Sequence, residues 1–575
     1  MSQVACESIV LGLSRAFDDE RRPRIALALS MSTLVCVPLM VSDPSEAIEE
    51  ASRAKDAGAD LAELRVDQLF SGEQEEADQI RRAVADCPLP CIVTCRPTWE
   101  GGFYDGDEDA RISLFEFLAA AEHPPAYIDV ELRAYEASEN IRQKVHLACV
   151  HPTQQRAITT RLILSTHDFD ARPADLTRRL ERAWGYGAAA VVKVAFRCRS
   201  LRDNLELFEI LRDAPKPTIA LGMGEFGLMS RVLAPKFGGF LTFATLTEES
   251  ATAPGQPTVR ELLDLYRFRS ITPSTRVYGV VGWPVAQSMS PLIHNAGFDA
   301  VDWDGVYLPL PVAADLNNPE ASALSYRATV GALTAEPWFD GASVTIPHKA
   351  SAAADAPSEP TGAINTLFRT TGKTGAPDWS HANTDATAIR ELIGDRLRET
   401  PDASIAVVGS GGVARAAVFA AGPRATVYAR APDRAGQLAR DVFGDAWAGS
   451  IHPLDRLTAP DHDHTQDDAH THDLYINCTP LGMAAGPDPD ASPIDIGALA
   501  DAGRLTPSTV FFDTVYNPIE TPLLREAKRH GCRTIDGVEM FVRQAAAQFT
   551  LWTGHGAPSG LFDRLVRETL TVTEP

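Results

Sequence analysis

The chain has 575 residues, 45% hydrophobic and 23% charged, a globular composition too long for one core and suited to about two to four domains. A formal charge of −24 leaves no basic surplus to displace phosphate counterions, so nucleic acid is excluded as an expected partner. No apolar run approaches the roughly 20 residues that cross a bilayer, and nine scattered cysteines without a CxxC pair fit reduced thiols in a cytoplasmic protein.

Residues 1–30 contain "FDDERRPR" and lack the apolar core and cleavage site of a secretory signal, so they read as an extension of unassigned role, with Met31 a candidate start. From Thr33 a short apolar strand followed by a helix-length polar stretch recurs eight times. The strands are "TLVCVPLMV", "LAELRVDQL", "PCIVTCRP", "AYIDVEL", "RLILSTHDF", "AAVVKVAF", "PTIALGMG" and "FLTFATL". Eight such units in about 240 residues predict a (β/α)8 TIM barrel over residues 31–268.

Chemistry in that fold sits at the C-terminal strand ends. Those ends carry Glu63 and Arg65, Arg96, His167 and Lys193, with Arg231 after the seventh strand and Thr252 and Gln256 after the eighth. Lys193 interrupts the apolar run "AAAVVKVAFR", where an unpaired ammonium is expensive. Several cations around one lysine would favour a neutral amine able to attack a carbonyl and would hold a carboxylate substrate, so Lys193 reads as a Schiff-base lysine.

At these residues the first half resembles type I 3-dehydroquinate dehydratase, through "ELRVD", "TCRPTWEGG", "STHDF", "VVKVAF", "MGEFGLMSR" and "APGQ" in order. The resemblance implies dehydration of 3-dehydroquinate to 3-dehydroshikimate, with Lys193 forming an imine and His167 moving protons. It implies that Glu63, Arg65, Arg96, Arg231, Thr252 and Gln256 hold substrate and that Glu100 and Asp129 orient His167. The family's usual serine at position 252 is threonine here, which keeps the hydroxyl.

A short polar joint, "LYRFRSITPSTR", precedes a second organisation from Val277. The loops "GWPVAQSMSPLIHN", "GASVTIPHK", "GAINT" and "NTD" supply the hydroxyls, amides, lysine and aspartate that a polyhydroxylated ligand requires. Then "SIAVVGSGGVARAAVFAA" reads strand, turn, helix: Gly409, Gly411, Gly412 and Val413 suit a dinucleotide pyrophosphate. The next strand ends in Arg430, with Arg434 close by, where an NAD enzyme would carry an acid; this favours the 2′-phosphate of NADP.

This half resembles shikimate dehydrogenase from Val277 to Gly554, adding "NCTPLGM", "VYNPIETPLL" and "GVEMFVRQAAAQF". The resemblance implies that Ser288, Ser290, Thr345, Asn365, Asp385, Tyr516 and Gln544 bind shikimate and that Lys349 and Asp385 are catalytic. It departs at Ala429 to Ala431, where "ARA" stands for the usual "NRT", at Ser343, as in two-domain plant-type enzymes, and at Ala386 and Ala388, where glycines are frequent. A shikimate-binding lobe is expected at 276–402 and 536–575, and a Rossmann NADP-binding lobe at 403–535. The whole then reads as a bifunctional enzyme making shikimate from 3-dehydroquinate. The alternatives are a second half acting mainly on quinate, a regulator that binds these metabolites without turnover, and a chain with one active and one inactive half. The run "DHDHTQDDAHTHD" from Asp461 reads as a solvated loop, and no metal is expected.

Overall fold

The computed structural model describes residues 32–573 except 151–158, 248–254, 316, 355, 357–358, 372–376, 458–470 and 485. Eight parallel strands form the first sheet: β1 Leu34–Met40, β2 Leu61–Arg65, β3 Cys91–Thr94, β4 Tyr127–Glu131, β5 Arg161–Asp168, β6 Ala189–Arg197, β7 Thr218–Met223 and β8 Leu241–Phe243. Pairing runs β7-β6-β5-β4-β3-β2-β1-β8, and the ends approach where Phe240 N donates to Thr218 O at 2.9 Å. The near-barrel has the eight strands that the apolar runs predict.

Local signals start the flanking helices. Asp43 accepts from Ser45 N and Glu46 N ahead of helix Pro44–Asp56, and Ser138 accepts from Ile141 N ahead of Glu139–Cys149. Alternate residues of each strand face the barrel axis. Leu61, Ile92, Tyr127, Ile163 and Val191 pack with Cys36, Ile219, Leu241 and Phe243 into an apolar floor. Two residues further along the same rows come Glu63, Thr94, Asp129, Ser165 and Lys193, all buried. The interior therefore turns polar toward the mouth.

The second half holds two more sheets. One contains β9 Arg276–Gly282, β10 Gly305–Pro311, β11 Phe339–Val344, β12 Thr366–Thr371 and β13 Pro377–Ala382, in the order β10-β9-β11-β12-β13 with β12 and β13 antiparallel. The other is all parallel: β14 Ile405–Val408, β15 Thr426–Ala429, β16 Ser450–Pro453, β17 Leu474–Asn477, β18 Val510–Asp513 and β19 Arg533–Ile535. Its order, β16-β15-β14-β17-β18-β19, reverses direction beside β14, the position at which Rossmann folds bind dinucleotides.

The joint between the halves is pinned on both sides. Phe268 and Ile271 are buried, Lys236 Nζ donates to Pro273 O and Thr275 O at 2.7 Å each, and Arg269 pairs with Asp60 at 2.8 Å. Trp338, just before β11, meets Phe208 and Phe237 of the barrel edge-on, with centroids 5.8 and 5.5 Å away. Barrel and β9–β11 residues share one apolar core across this seam. Removing the buried indole by Trp338→Ala should cost about 3–5 kcal/mol, read as a lower thermal midpoint. An unchanged midpoint would show that the seam contributes no stability.

Candidate active sites

The barrel mouth is a lattice of alternating charge. Lys193 Nζ lies 3.0 Å from Asp129 Oδ2 and 3.4 Å from Glu63 Oε1, above the Phe243 ring at 4.5 Å. Asp129 Oδ1 accepts from Arg96 Nη2 at 3.0 Å and from Ser165 Oγ at 2.5 Å. Arg96 Nη1 also donates to Glu131 Oε1 at 2.6 Å, and the other oxygen of Glu131 meets Arg111 Nη2 at 2.8 Å. Thr94 Oγ1 donates to Glu63 at 2.7 Å. Burial opposes the Asp129 charge, yet Arg96, Lys193 and His167 hold its carboxyl well below the usual range.

His167 is braced separately. Its backbone N donates to Glu100 Oε1 at 2.8 Å, and its Nδ1 lies 3.0 Å from the same oxygen. A proton held at Nδ1 leaves the Nε2 lone pair free. Burial first, then Arg96 and Lys193, lower the imidazole well below its ordinary value. Burial raises the Glu100 carboxyl to about 7.

Two expectations change here. Asp129 makes no hydrogen bond to His167: its hydrogen bonds go to Lys193, Arg96 and Ser165, and the imidazole is met instead by Glu100 on the loop after β3. The immediate partners of Lys193 are carboxylates rather than cations, since Arg96 is bound to acids and Arg65 is taken up by Asp67 through bonds of 2.9 and 3.0 Å. Arg231 behaves otherwise. It is 3% exposed, its Nε is unpartnered, and it pairs with no acid among the described residues. Burial lowers it to about 10, so it is charged at neutral pH and available to an anion. Gln256 is half-buried nearby in sequence, and Thr252 lies outside the described residues.

In the second half Lys349 Nζ lies 2.5 Å from Asp385 Oδ2. Lys349 opens a short helix after β11, Asp385 lies in the first turn of helix Thr384–Glu399, and Cδ of Lys349 is 3.5 Å from where a Cβ on Gly412 would stand. The pair thus sits at the border of the glycine turn. Asn365 accepts from Thr384 N at 2.8 Å and donates to Thr384 Oγ1 at 2.9 Å, fixing the "NTD" and "GAINT" loops together. Ser288 Oγ accepts from Ser290 N, Gln544 donates to Phe541 O, and Tyr516 stacks on Phe541 at 4.8 Å. Thr345 is half-buried beside Gly282.

Behind these residues Ser343 and Asn365 are linked through Tyr307 and Gln548, two residues that the sequence reading does not single out. Tyr307 OH donates to Ser343 Oγ at 2.6 Å, Ser343 to Gln548 Oε1 at 2.8 Å, and Gln548 to Asn365 O at 3.1 Å. Glu131, Ser165 and Arg111 were likewise missed. The available signal was strand alternation: Glu131 follows Asp129 by two, and Ser165 precedes His167 by two.

The nucleotide turn fits its expected ligand. Gly409 has φ +126, which favours glycine, and a Cβ there would lie 3.0 Å from Cys478 O. A Cβ on Gly411 would meet nothing within 4 Å, leaving open space at the start of helix Gly412–Ala421, with Val413 in its first turn. Arg430 and Arg434 are exposed and have no ion-pair partner among the described residues. In the histidine run, 458–470 lie outside the described residues, but His472 is structural: Nδ1 is 2.7 Å from Ser404 Oγ and Nε2 2.9 Å from Tyr428 OH.

Residues 35–273 match the Type I 3-dehydroquinase family, 280–367 the shikimate dehydrogenase substrate binding domain, and 537–567 the shikimate 5′-dehydrogenase C-terminal domain. The chain is 33% identical to the shikimate dehydrogenase (NADP(+)) of Methanocella arvoryzae over 51% of its own length and 99% of that protein. The solved dehydroquinate dehydratase and shikimate dehydrogenase from S. pombe AroM aligns at 24% identity and TM-score 0.39, covering 94% of this chain and 99% of that one. To the chloroplastic bifunctional 3-dehydroquinate dehydratase/shikimate dehydrogenase of Arabidopsis thaliana it is 36% identical over 553 residues, 92% of this chain and 83% of that protein. One relative thus matches continuously through both halves, and the chain belongs to the bifunctional 3-dehydroquinate dehydratase/shikimate dehydrogenase family.

Proposed function

We propose that the chain dehydrates 3-dehydroquinate to 3-dehydroshikimate at the barrel mouth and reduces that product to shikimate with NADPH in the second half. The observation that carries the first step is a buried amine, Lys193, in the same barrel as a histidine braced by Glu100. Arg231 takes the substrate carboxylate, with Glu63, Arg65, Arg96, Thr252 and Gln256 as further contacts. Lys193 condenses with the ketone and releases water. The iminium draws electrons from the adjacent C–H, His167 removes that proton, and the same group returns a proton to the departing hydroxyl. Hydrolysis of the iminium frees Lys193 and the enone.

In the second half Ser288, Ser290, Thr345, Asn365, Tyr516 and Gln544 bind the hydroxyls and carboxylate. NADPH, when bound, supplies a hydride to the substrate carbonyl. Lys349 donates a proton to the oxygen that becomes an alkoxide, and Asp385 positions it through the 2.5 Å contact. Gly409, Gly411, Gly412 and Val413 cradle the pyrophosphate, while Arg430 and Arg434 meet the 2′-phosphate. The division is 31–268 for the dehydratase, 276–402 with 536–575 for the substrate lobe and 403–535 for the nucleotide lobe. A cytoplasmic location fits the free thiols of the described cysteines, and the charge of −24 argues against nucleic-acid partners. Among the described residues no helix is long and apolar enough to cross a membrane.

Incubation with 3-dehydroquinate followed by borohydride should attach a reduced ligand to Lys193, located by peptide mapping. Labelling of another lysine, or full dehydratase activity in Lys193→Ala, would refute the Schiff base.

Because the Glu100 carboxyl is raised to about 7, it ionises as pH rises through that value and then strengthens the Nε2 base of His167. Dehydratase kcat/KM should climb through about pH 7. Folding favours neutral Glu100, so the stability this shift lends is full below the ordinary glutamate value of 4.5 and is lost as pH rises from there through about 7. Glu100→Gln should abolish the step and lower the plateau by up to about a hundredfold; an unchanged pH profile overturns the role.

A charge-assisted hydrogen bond from Arg430 to the 2′-phosphate should favour NADPH over NADH by about ten- to a hundredfold in kcat/KM. Arg430→Ala should lose most of that ratio. Equal use of both cofactors by the wild type would sink the assignment.

A further inference from the structure

The loop after β7 and the loop after β9 touch through their aromatic rings. Phe226 and Trp283 stack with centroids 5.7 Å apart and planes 11° apart, although 57 residues and the domain seam separate them. Each ring belongs to a loop that is hydrogen-bonded to the segment carrying one proposed substrate site.

On the barrel side, Phe226 O accepts from Asn204 Nδ2 at 2.8 Å, and Asn204 Oδ1 accepts from Ser230 N at 3.1 Å, next to Arg231. Ser230 Oγ donates to Gly227 O and accepts from Gly222 N. A Cβ on Gly227 would come within 2.3 Å of Gly222 O, so this turn has no slack. The Phe226 ring and the buried Arg231 guanidinium therefore share one frame.

On the other side, Trp283 N donates to Ile346 O at 3.0 Å, and a Cβ on the preceding Gly282 would lie 2.3 Å from Thr345 Cγ2. Trp283 is thus fixed to the segment that carries Thr345 and leads to Lys349. It also starts the loop that delivers Ser288 and Ser290. Both rings are half-buried.

We propose that Phe226 and Trp283 are positioning residues for both reactions: their stack sets the placement of the two substrate loops, so each loop is held in its binding position partly by a ring supplied by the other half. The seam brings the loops together, and the stack fixes them in register. The inference rests on the functional reading above.

The test measures both activities on the intact chain for wild type, Phe226→Ala, Trp283→Ala, the double variant and Trp283→Phe. An aromatic pair of this kind is worth about a two- to tenfold change in a binding constant. Trp283→Ala should raise the dehydratase KM for 3-dehydroquinate by that factor with kcat within about twofold, although Trp283 lies in the reductase half. Phe226→Ala should do the same to the reductase KM for 3-dehydroshikimate. The double variant should be no worse than either single one in each assay, as expected when both remove the same contact. Trp283→Phe keeps a stacking ring and should restore the dehydratase KM. If each substitution disturbs only the half that carries it, or if their effects multiply, the coupling is refuted while the functional reading stands. A wild-type chain inactive on either substrate overturns the functional reading and the coupling with it.

Discussion

Asp129 binds Lys193 through one carboxylate oxygen and Arg96 and Ser165 through the other, all four buried. Removing one member of such a lattice leaves an uncompensated buried charge, typically about 3–5 kcal/mol. The demand propagates. Arg96 requires Glu131, and Glu131 requires Arg111, which reaches in from helix Glu108–Ala119 and is fully buried. With Lys193, Arg96 and Arg111 matched against Glu63, Asp129 and Glu131, the interior is balanced before any ligand arrives. Arg231 stands outside that balance, a buried guanidinium whose Nε is unpartnered and which pairs with no acid among the described residues.

The second half solves a different problem with neutral groups. A polyhydroxylated ligand needs many directional partners and little net charge, and the Tyr307–Ser343–Gln548–Asn365 chain holds the loops that offer them. The Lys349–Asp385 ion pair is the charged exception, placed where the substrate lobe meets the glycine turn. The pair and the glycine turn thus adjoin although they follow strands of different sheets.

Much of this was legible in the chain itself. Eight strand runs, the pair Glu63/Arg65 at a spacing of two, and the glycine turn after β14 are local patterns, and local geometry expresses them directly. Partner choice among buried charges is not local. Glu100 and Asp129 are both acids near His167, and only the three-dimensional placement of each decides which braces the imidazole and which holds Lys193. The joint "LYRFRSITPSTR" reads as polar, yet Phe268 and Ile271 are core because the opposing surface arrives from distant sequence. His472 looked like part of a solvated histidine run and is a hydrogen-bonded post between Ser404 and Tyr428.

The Trp338, Phe208 and Phe237 cluster bears on how such a chain can change over evolutionary time. Two enzymes joined by a bare tether can be parted again by a break in the gene. Here a break at the joint would strand three large aromatic rings on the cut faces and leave Lys236 without its carbonyls. Each liberated piece would inherit a sticky apolar surface of the kind that drives aggregation. Fusion on these terms behaves as a ratchet: separation would first require new polar residues on both faces, none of which benefits the joined protein.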